Sequence, residues 1–283
     1  MKKYDYAVFI LTHGRPNAQK TLRLLQRNRF TGRIYLLCDD EDETLAEYKK
    51  RYGDMVLVFT KKDYYDKVDT MDNGGSNKTI LYARNACFDI AKQVGVDYFI
   101  QLDDDYTFLC YTQLKQGTLK GYLFRDLDAL FQATFDLLEK TGALAVAYAQ
   151  NGDLIGGARG GVIRQPIRRK AMNWFFFKTD RRYEFRGRMN DDVNAYIHYA
   201  LTGELVFTVT FVVFHHDPTQ KQPGGITDLY LELGTYVKSF YPVMLCPSAV
   251  RIGRIGYIYP RIHHKVLWEY CAPKIISERY RKE

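Results

Sequence analysis

A buried strand that ends in three consecutive aspartates constrains this sequence more than any other feature. The largely apolar run 96–102 is typical of an interior strand, and Asp103, Asp104 and Asp105 follow it directly. Carboxylates this close repel one another unless a cation or a proton lies between them. Because side chains alternate along an extended segment, Asp103 and Asp105 are expected on one side and Asp104 on the other. Two carboxylates on one side form half of a site for Mg²⁺ or Mn²⁺, which the phosphates of a bound nucleotide could complete.

Apolar runs alternate with segments of helical spacing along much of the chain. The runs that predict strands are 6–11, 33–38, 55–59, 96–103, 143–148 and 205–214. The segments that predict helices are one through Leu22, Leu24 and Leu25, and those at about 43–52, 79–94, 123–141, 191–201 and 226–241. Strands that alternate with helices in this way favour an α/β fold with a parallel, doubly wound sheet.

Polar residues gather where the predicted strands end. The clusters are Thr12-His13-Gly14-Arg15, Asp39-Asp40, Asp103-Asp104-Asp105 and His215-His216. In an open α/β sheet, ligands bind at the carboxyl ends of the strands. Four polar strand ends in one sheet therefore predict a common ligand site, most simply one for a nucleotide.

Composition limits the classes of protein that remain. The chain has 283 residues and 46% hydrophobic residues, enough for a sizeable core. Its five cysteines are scattered without a CxxC pair, so neither a zinc knuckle nor a disulfide framework is predicted. No apolar run reaches the roughly 18 residues of a membrane span, and the first residues lack the apolar core of a signal peptide. We therefore expect a cytoplasmic protein without a membrane partner.

The charge of the chain favours an anionic partner. The formal net charge is +8, and residues 159–188 combine many cations with aromatic side chains. The candidate phosphate contacts there are Arg164, Arg168, Arg169, Lys170, Arg181, Arg182, Arg186 and Arg188, and a second set in the tail is Arg251, Arg254, Arg261 and Lys265. The aromatic residues 174–177, Tyr183 and Phe185 could stack on bases, or they could form a core beneath a solvated basic face.

These motifs together resemble the GT-A glycosyltransferases over roughly residues 4–220. The resemblance implies a Rossmann-like, mostly parallel sheet flanked by helices, with an acceptor-side subregion. It divides the chain into a catalytic core at 1–220, with a donor side at about 1–110 and an acceptor side at about 111–220. A helical, basic extension at 221–283 is expected to pack on that core.

The resemblance also assigns roles to single residues. It implies Mn²⁺ or Mg²⁺ bound by Asp103, Asp105 and one of His215 and His216, with a slight preference for His215. The residues expected to contact a UDP-sugar donor are Thr12, His13, Arg15, Asp39, Asp40, Lys78, Arg84, Asp103 and Asp104. Asp192 is the first candidate for the base of an inverting transfer and Asp191 the second, although both stand where aspartates commonly cap a helix.

A narrower resemblance is to the phage glycosyltransferases associated with TET/JBP-type oxygenases. It rests on the strand end at 101–106, the arginine-rich segment before Asn190-Asp191-Asp192, and His215-His216-Asp217-Pro218 followed by Gly224-Gly225. It implies sugar transfer to a hydroxymethylated pyrimidine in DNA. Alternatives are a GT-A enzyme that acts on a glycan, lipid or protein, a nucleotidyltransferase, and a nucleic-acid-binding module without catalysis. A nucleotidyltransferase usually has a glycine-rich, basic first loop, which Thr12-His13-Gly14-Arg15-Pro16 matches poorly.

Overall fold

The structure of the protein is a computed structural model. It describes residues 3–124, 126–154, 156–160, 170–216, 226–234, 236–256, 260–271 and 276–281.

The first hundred residues form the parallel half of a nine-stranded sheet. Its strands, in the spatial order β3-β2-β1-β4, are β1 (Tyr6–Leu11), β2 (Arg33–Asp39), β3 (Val56–Phe59) and β4 (Tyr98–Asp103). The helices between them are α1 (Lys20–Arg27), α2 (Leu45–Tyr52) and α3 (Leu81–Gln93). All six residues of β1 are buried, as expected for a central parallel strand covered on both faces. The strands and helices predicted for this half are confirmed within two or three residues.

The other half of the sheet is mainly antiparallel. It continues from β4 in the order β8-β7-β9-β5-β6, and only β7 and β9 pair in parallel. Its strands are β5 (Tyr106–Lys115), β6 (Thr118–Leu123), β7 (Ala145–Gln150), β8 (Asn173–Lys178) and β9 (Val206–His216). Helix α4 (Leu127–Thr141) precedes β7. The predicted class, a Rossmann-like α/β sheet flanked by helices, is confirmed, with its parallel order concentrated in the N-terminal half.

Strand β8 shows which reading of the aromatic run is correct. Trp174 and Phe176 belong to the core on one face of the sheet, with Phe131 and Phe135 of α4. Phe175 and Phe177 belong to the core on the other face, with α3 and with Tyr183 and Phe185. All of these rings are buried. The proposal that they stack on bases is therefore wrong, because a ring inside the core cannot reach a nucleic acid.

The C-terminal part packs against the helix that begins at Asp191. Its elements are α5 (Asp191–Leu201), α6 (Ile226–Leu233), α7 (Phe240–Leu245), β10 (Val250–Ile255), β11 (Arg261–Val266) and α8 (Trp268–Cys271). The helix predicted for 226–241 is interrupted, since Gly234 has φ +85° and ends α6. Val193, Ile197 and Ala200 of α5 share a small core with Val250 and Cys271. Within the described ranges, no helix has the length and apolar character needed to cross a bilayer.

Candidate active site

The strand order brings one end of most strands to a single edge of the sheet. The parallel strands β1, β2 and β4 end there at Leu11, Asp39 and Asp103. Because β8 runs antiparallel to β4, it begins at this edge, and β7 and β9 therefore end at it with Gln150 and His216. Strand β5 begins at the same edge, since Tyr106 pairs with His216. The topology thus gathers residues from the whole of the described sheet.

A cavity of about 710 Å³ opens at this edge. That volume lies within the range of ordinary ligand pockets, which is about 300–1,000 Å³. Predicted residues that line the cavity are Thr12, His13, Arg15, Asp39, Lys78, Arg84, Asp103, Asp104, Asp105, Asp191, Asp192 and His216. Asp40 and His215 are absent from its lining. Residues that the sequence did not single out are also present, among them Asp42, Lys61, Asn173, Asn190 and Lys238.

The loop after β1 is tied to the aspartates after β4. The Thr12 hydroxyl donates to the Asp104 carboxylate over 2.7 Å, and Arg15 pairs with the same carboxylate over 3.1 Å. Backbone amides of Lys20 and Thr21 donate to the Asp104 carbonyl. Asp104 is 5% exposed and braces the turn between β4 and β5 at the wall of the cavity. The expectation that Asp104 turns away from Asp103 and Asp105 agrees with this placement.

A second group of charges lies at the end of β2. His13 Nδ1 is 2.8 Å from an Asp39 carboxylate oxygen, and the hydrogen bond from Asp39 raises the pKa of His13. Lys61, almost completely buried, lies 3.6 Å from the same carboxylate. Asp40 instead accepts a hydrogen bond from the Lys61 backbone amide. Of the two aspartates predicted at this strand end, Asp39 therefore borders the cavity and Asp40 stabilises the following turn.

The group after β4 suits a divalent cation only in part. Asp103 and Asp105 line the cavity together with His216, and oxygen with one imidazole nitrogen is a donor set that Mn²⁺ accepts. Burial, together with the charges of Asp103 and Asp104, raises the pKa of Asp105 to about 7. Yet in the residues that the structure describes, no three His, Cys, Asp or Glu side chains converge closely enough to hold an ion. The donor set fits a metal whose remaining ligands come from a substrate.

The two adjacent histidines point in different directions. His216 lies at the cavity opposite Tyr106, and its charge lowers the pKa of Asp105. The His215 ring packs edge-to-face against Phe108, 5.6 Å between ring centroids. The slight preference for His215 is therefore reversed in favour of His216, because adjacent residues of a strand face opposite sides.

Arg84 connects the two acidic groups of the cavity. From the first turn of α3, its Nη2 lies 3.2 Å from Asp103, and its Nε lies 2.6 Å from Asp191. Gln101 and Asn173 accept further hydrogen bonds from the same guanidinium. The side chain is 4% exposed and flanked by aromatic rings. An arginine buried this deeply is held by its carboxylates, and in turn it fixes their separation.

Asp191 and Asp192 begin α5, and they differ in their partners. Asp191 is paired with Arg84, whereas a carboxylate oxygen of Asp192 accepts a hydrogen bond from the backbone amide of Val193. Burial and the neighbouring charge of Asp191 raise the pKa of Asp192 to about 7. A carboxylate with a pKa near neutrality is suited to accept a proton.

Two of the predicted DNA contacts lie at the opposite edge of the sheet. Lys178 pairs with Tyr98 at the far end of β4, roughly 17 Å from the level of Asp103 at 3.3 Å per residue, and Arg181 and Arg182 follow Lys178. Both are paired with carboxylates, those of Glu139 and Asp89. Lys170 pairs with Asp153 and Arg186 with Glu184. Arg164, Arg168 and Arg169 lie outside the described residues.

Arg188 is a clear correction to the predicted set. It is only 2% exposed and holds the Asp72 carboxylate over 2.8 Å, while the Tyr241 hydroxyl donates to the same carboxylate. A side chain buried in this way cannot contact a DNA phosphate. Arg188 thereby anchors the loop 72–78 to the start of α5 and to α7. This loop brings Lys78 to the cavity.

The residues that sequence reasoning missed had weak local signals. Asn190 has φ +54° and stands at the N-cap position of α5, so its place before two aspartates is a signal that could have been used. Lys61 follows the predicted strand 55–59 without a motif, and Lys238 stands inside the predicted helix 226–241, so only the tertiary fold shows that both line the cavity.

Comparisons with known proteins give one match that covers most of the chain. The sequence profile of the TET-associated glycosyltransferases matches residues 6–225. None of the curated proteins matches the sequence. Among solved structures, a mycobacterial protein has a TM-score of 0.48 at 10% identity and covers 93% of this chain and 84% of its own. Glucosyl-3-phosphoglycerate synthase from Mycobacterium tuberculosis, in complex with Mn²⁺ and UDP-glucose, has a TM-score of 0.48 at 9% identity, with coverages of 93% and 86%.

Likenesses this distant do not identify a substrate. The profile match is of a different kind, because it spans β1 to β9 and includes every cavity residue named above except Lys238. The chain is a member of the TET-associated glycosyltransferase family.

Proposed function

We propose that this protein transfers a sugar from a UDP-sugar to the hydroxyl of a hydroxymethylated pyrimidine in phage DNA. The observation that carries the proposal is the Arg84 bridge, which holds a metal-type carboxylate, Asp103, and a base-type pair, Asp191 and Asp192, around one cavity. A glycosyltransferase needs both functions beside the same sugar. Membership of the TET-associated family supports the DNA acceptor, and such an acceptor implies the cytoplasm of an infected host cell.

The donor is proposed to lie between the loop after β1 and the aspartates after β4. His13, Asp39 and Arg15 would contact the nucleoside side, and Lys78 would face the diphosphate. Asp103, Asp105 and His216 would hold Mn²⁺ or Mg²⁺ together with phosphate oxygens. When bound, the metal would act as a Lewis acid that neutralises charge on the departing diphosphate.

The acceptor is proposed to approach from the side of α5. In an inverting transfer, Asp192 takes the proton of the acceptor hydroxyl, the hydroxyl oxygen bonds to the anomeric carbon, and the bond to the diphosphate breaks. UDP leaves with the electron pair of that bond. Asp191 is paired with Arg84, whereas no cation of the described residues is paired with Asp192, which is why Asp192 remains the first candidate.

The test combines protein, Mn²⁺, a panel of UDP-sugars and duplex DNA that contains hydroxymethylcytosine, hydroxymethyluracil or neither. The DNA is then digested to nucleosides and weighed by mass spectrometry. A hexose or pentose mass gain on one modified base, and none on plain DNA, is expected. UDP release without any mass gain on DNA would instead support a glycan, lipid or protein acceptor, the second candidate.

A further inference from the structure

A basic two-stranded ribbon lies beside the acceptor side of the cavity. Strands β10 and β11 pair antiparallel, with Arg251 opposite Lys265 and Ile255 opposite Arg261. Directly paired residues share a face of a sheet, and residues two or four apart along a strand share it too. Arg251, Arg261 and Lys265 therefore occupy one face of the ribbon, and all three are exposed.

These three cations differ from four basic residues in the described part of the arginine-rich segment. Lys170, Arg181, Arg182 and Arg186 are each paired with a carboxylate of the protein. Within the described ranges, by contrast, no carboxylate lies within 4.0 Å of the side-chain nitrogens of the three ribbon cations. A cation without an internal partner keeps its full attraction for an external anion.

The ribbon is joined to the candidate base. His264 of β11 lies 3.4 Å from the side-chain nitrogen of Asn190, the residue directly before Asp191 and Asp192. Lys238 lines the cavity, and the hydroxyl of its neighbour Ser239 donates a hydrogen bond to the Ile262 carbonyl of β11. The ribbon thus borders the side from which an acceptor reaches Asp192.

The local field at the junction is positive. Burial, followed by the charges of His263, Lys238 and Lys170, lowers the pKa of His264 to about 3. Burial and, to a lesser extent, the charge of Arg261 lower the pKa of Lys238. Asp192, whose charge opposes this lowering at Lys238, lies on the cavity side. Arg261 of the ribbon and Lys238 of the cavity lining are therefore close enough for their charges to interact.

The dimensions of the ribbon fit duplex DNA. Each strand has six residues and is about 20 Å long at 3.3 Å per residue. The major groove of B-DNA, about 12 Å wide, admits a two-stranded β-ribbon, and its phosphates attract lysine and arginine. The hydroxymethyl group of a modified pyrimidine projects into that groove. The ribbon lies beyond residues 6–225, so the family match does not assign it a role.

We infer that the β10–β11 ribbon is the duplex-docking surface of this protein and enters the major groove next to the modified base. The inference rests on the proposed DNA acceptor, and it replaces the arginine-rich segment as the main phosphate-binding surface. Arg251, Arg261 and Lys265 contact the phosphates, while the junction at Asn190 brings the base towards Asp192.

The test is an anisotropy titration of labelled hydroxymethylcytosine duplex at several salt concentrations. The triple variant R251Q/R261Q/K265Q is compared with K49Q/K50Q/R51Q, which removes three exposed charges from α2 and lowers the net charge equally. Loss of three phosphate contacts should reduce the slope of log affinity against log salt by about 2.7, and the affinity near 0.15 M salt on the order of 100-fold. The α2 variant should stay within about threefold of the wild type. R251K/R261K keeps the charge and should retain most of the affinity, and thermal unfolding of each variant checks the fold.

Each outcome of the titration either supports or overturns the ribbon assignment. Equal affinity of the two triple variants would overturn the ribbon assignment, even if the wild type glycosylates DNA. Loss of affinity in the ribbon variant alone supports it, even if mass spectrometry finds no sugar on the DNA and the proposed acceptor fails. If the wild type binds vesicles of anionic lipid but not duplex DNA, the ribbon serves a membrane surface and the inference is wrong.

Discussion

At the scale of single residues, Arg84 links the two acidic groups of the cavity. It is the shared counter-charge of Asp103 and Asp191, and all three side chains are largely withdrawn from water. The replacement Arg84→Met should leave two carboxylates without compensation and lower the free energy of unfolding by about 3–5 kcal/mol. Urea denaturation measures this change. Arg23→Met, at an exposed position of α1, should stay within about 0.5 kcal/mol of the wild type.

A loss of less than about 1 kcal/mol in Arg84→Met would contradict this account of the bridge. It would mean that the two carboxylates find other partners or become protonated at little cost.

The pKa of Asp192 predicts a pH dependence of transfer. Burial and Asp191 raise that pKa to about 7, so the carboxyl is increasingly protonated as the pH falls below this value. A protonated carboxyl cannot accept the acceptor's proton. The quantity kcat/KM should therefore rise with pH and level off above about 7. A flat profile between about pH 5.5 and 8 would exclude Asp192 as the base.

At the scale of elements, the loop 72–78 depends on a contact from the C-terminal part. Tyr241 of α7 and Arg188 both hold Asp72, and this loop presents Lys78 to the cavity. Tyr241→Phe removes one donor and should lower the free energy of unfolding by about 1 kcal/mol and weaken UDP binding several-fold. Isothermal titration of UDP with Mn²⁺ measures the second effect. Tyr270→Phe, which is exposed on α8, is the matched control, and equal UDP affinity of the two variants would show that the loop does not need the Tyr241 contact.

The elements also show what sequence could and could not predict. Strands β1 and β4 are covered on both faces, so they appear as continuous apolar runs and are easily recognised. Strand β6 has no buried residue, and its sequence TLKGYL has no clear alternation. Strand β8 was hidden because its aromatic residues stand among cations that favour a surface interpretation, whereas their rings face two cores.

The residues of the cavity also differ in how well the sequence predicts them. Residues at strand ends, such as Asp103 and Asp39, were accessible to prediction because parallel strands end at one edge. The pairing of Arg84 with Asp191, and the burial of Arg188 against Asp72, depend on how distant segments pack. No local pattern encodes those contacts.

At the scale of the whole molecule, the metal and the nucleotide should bind as a linked pair. The chain brings Asp103, Asp105 and His216 to the cavity, but the described residues do not gather three ligands around one point. Mn²⁺ alone should therefore bind weakly, and UDP should tighten its binding at least tenfold, with the same factor for the effect of Mn²⁺ on UDP. Calorimetric titration of each ligand with and without the other measures both factors. Tight Mn²⁺ binding in the absence of UDP would show that the protein supplies a complete site.

The molecule is proposed to divide its work between a catalytic core at 1–220 and an extension at 221–283. The extension was expected to be helical, but it also contains the β10–β11 ribbon, which packs on α5. In this view the core binds the donor, and the extension both anchors the loop 72–78 and docks the acceptor.

In the proposed reaction, Asp103 helps to hold the metal and the donor diphosphate, whereas Asp192 takes the proton of the acceptor hydroxyl. The most direct measurement follows Asp192→Asn and Asp103→Asn in parallel, by Mn²⁺-dependent UDP affinity and by sugar transfer to hydroxymethylated duplex DNA. Asp192→Asn should keep UDP affinity within about twofold and lose transfer by about 10²–10⁴-fold, the usual contribution of a general base. Asp103→Asn should lose both. Transfer by Asp192→Asn at a rate close to that of the wild type would contradict the account.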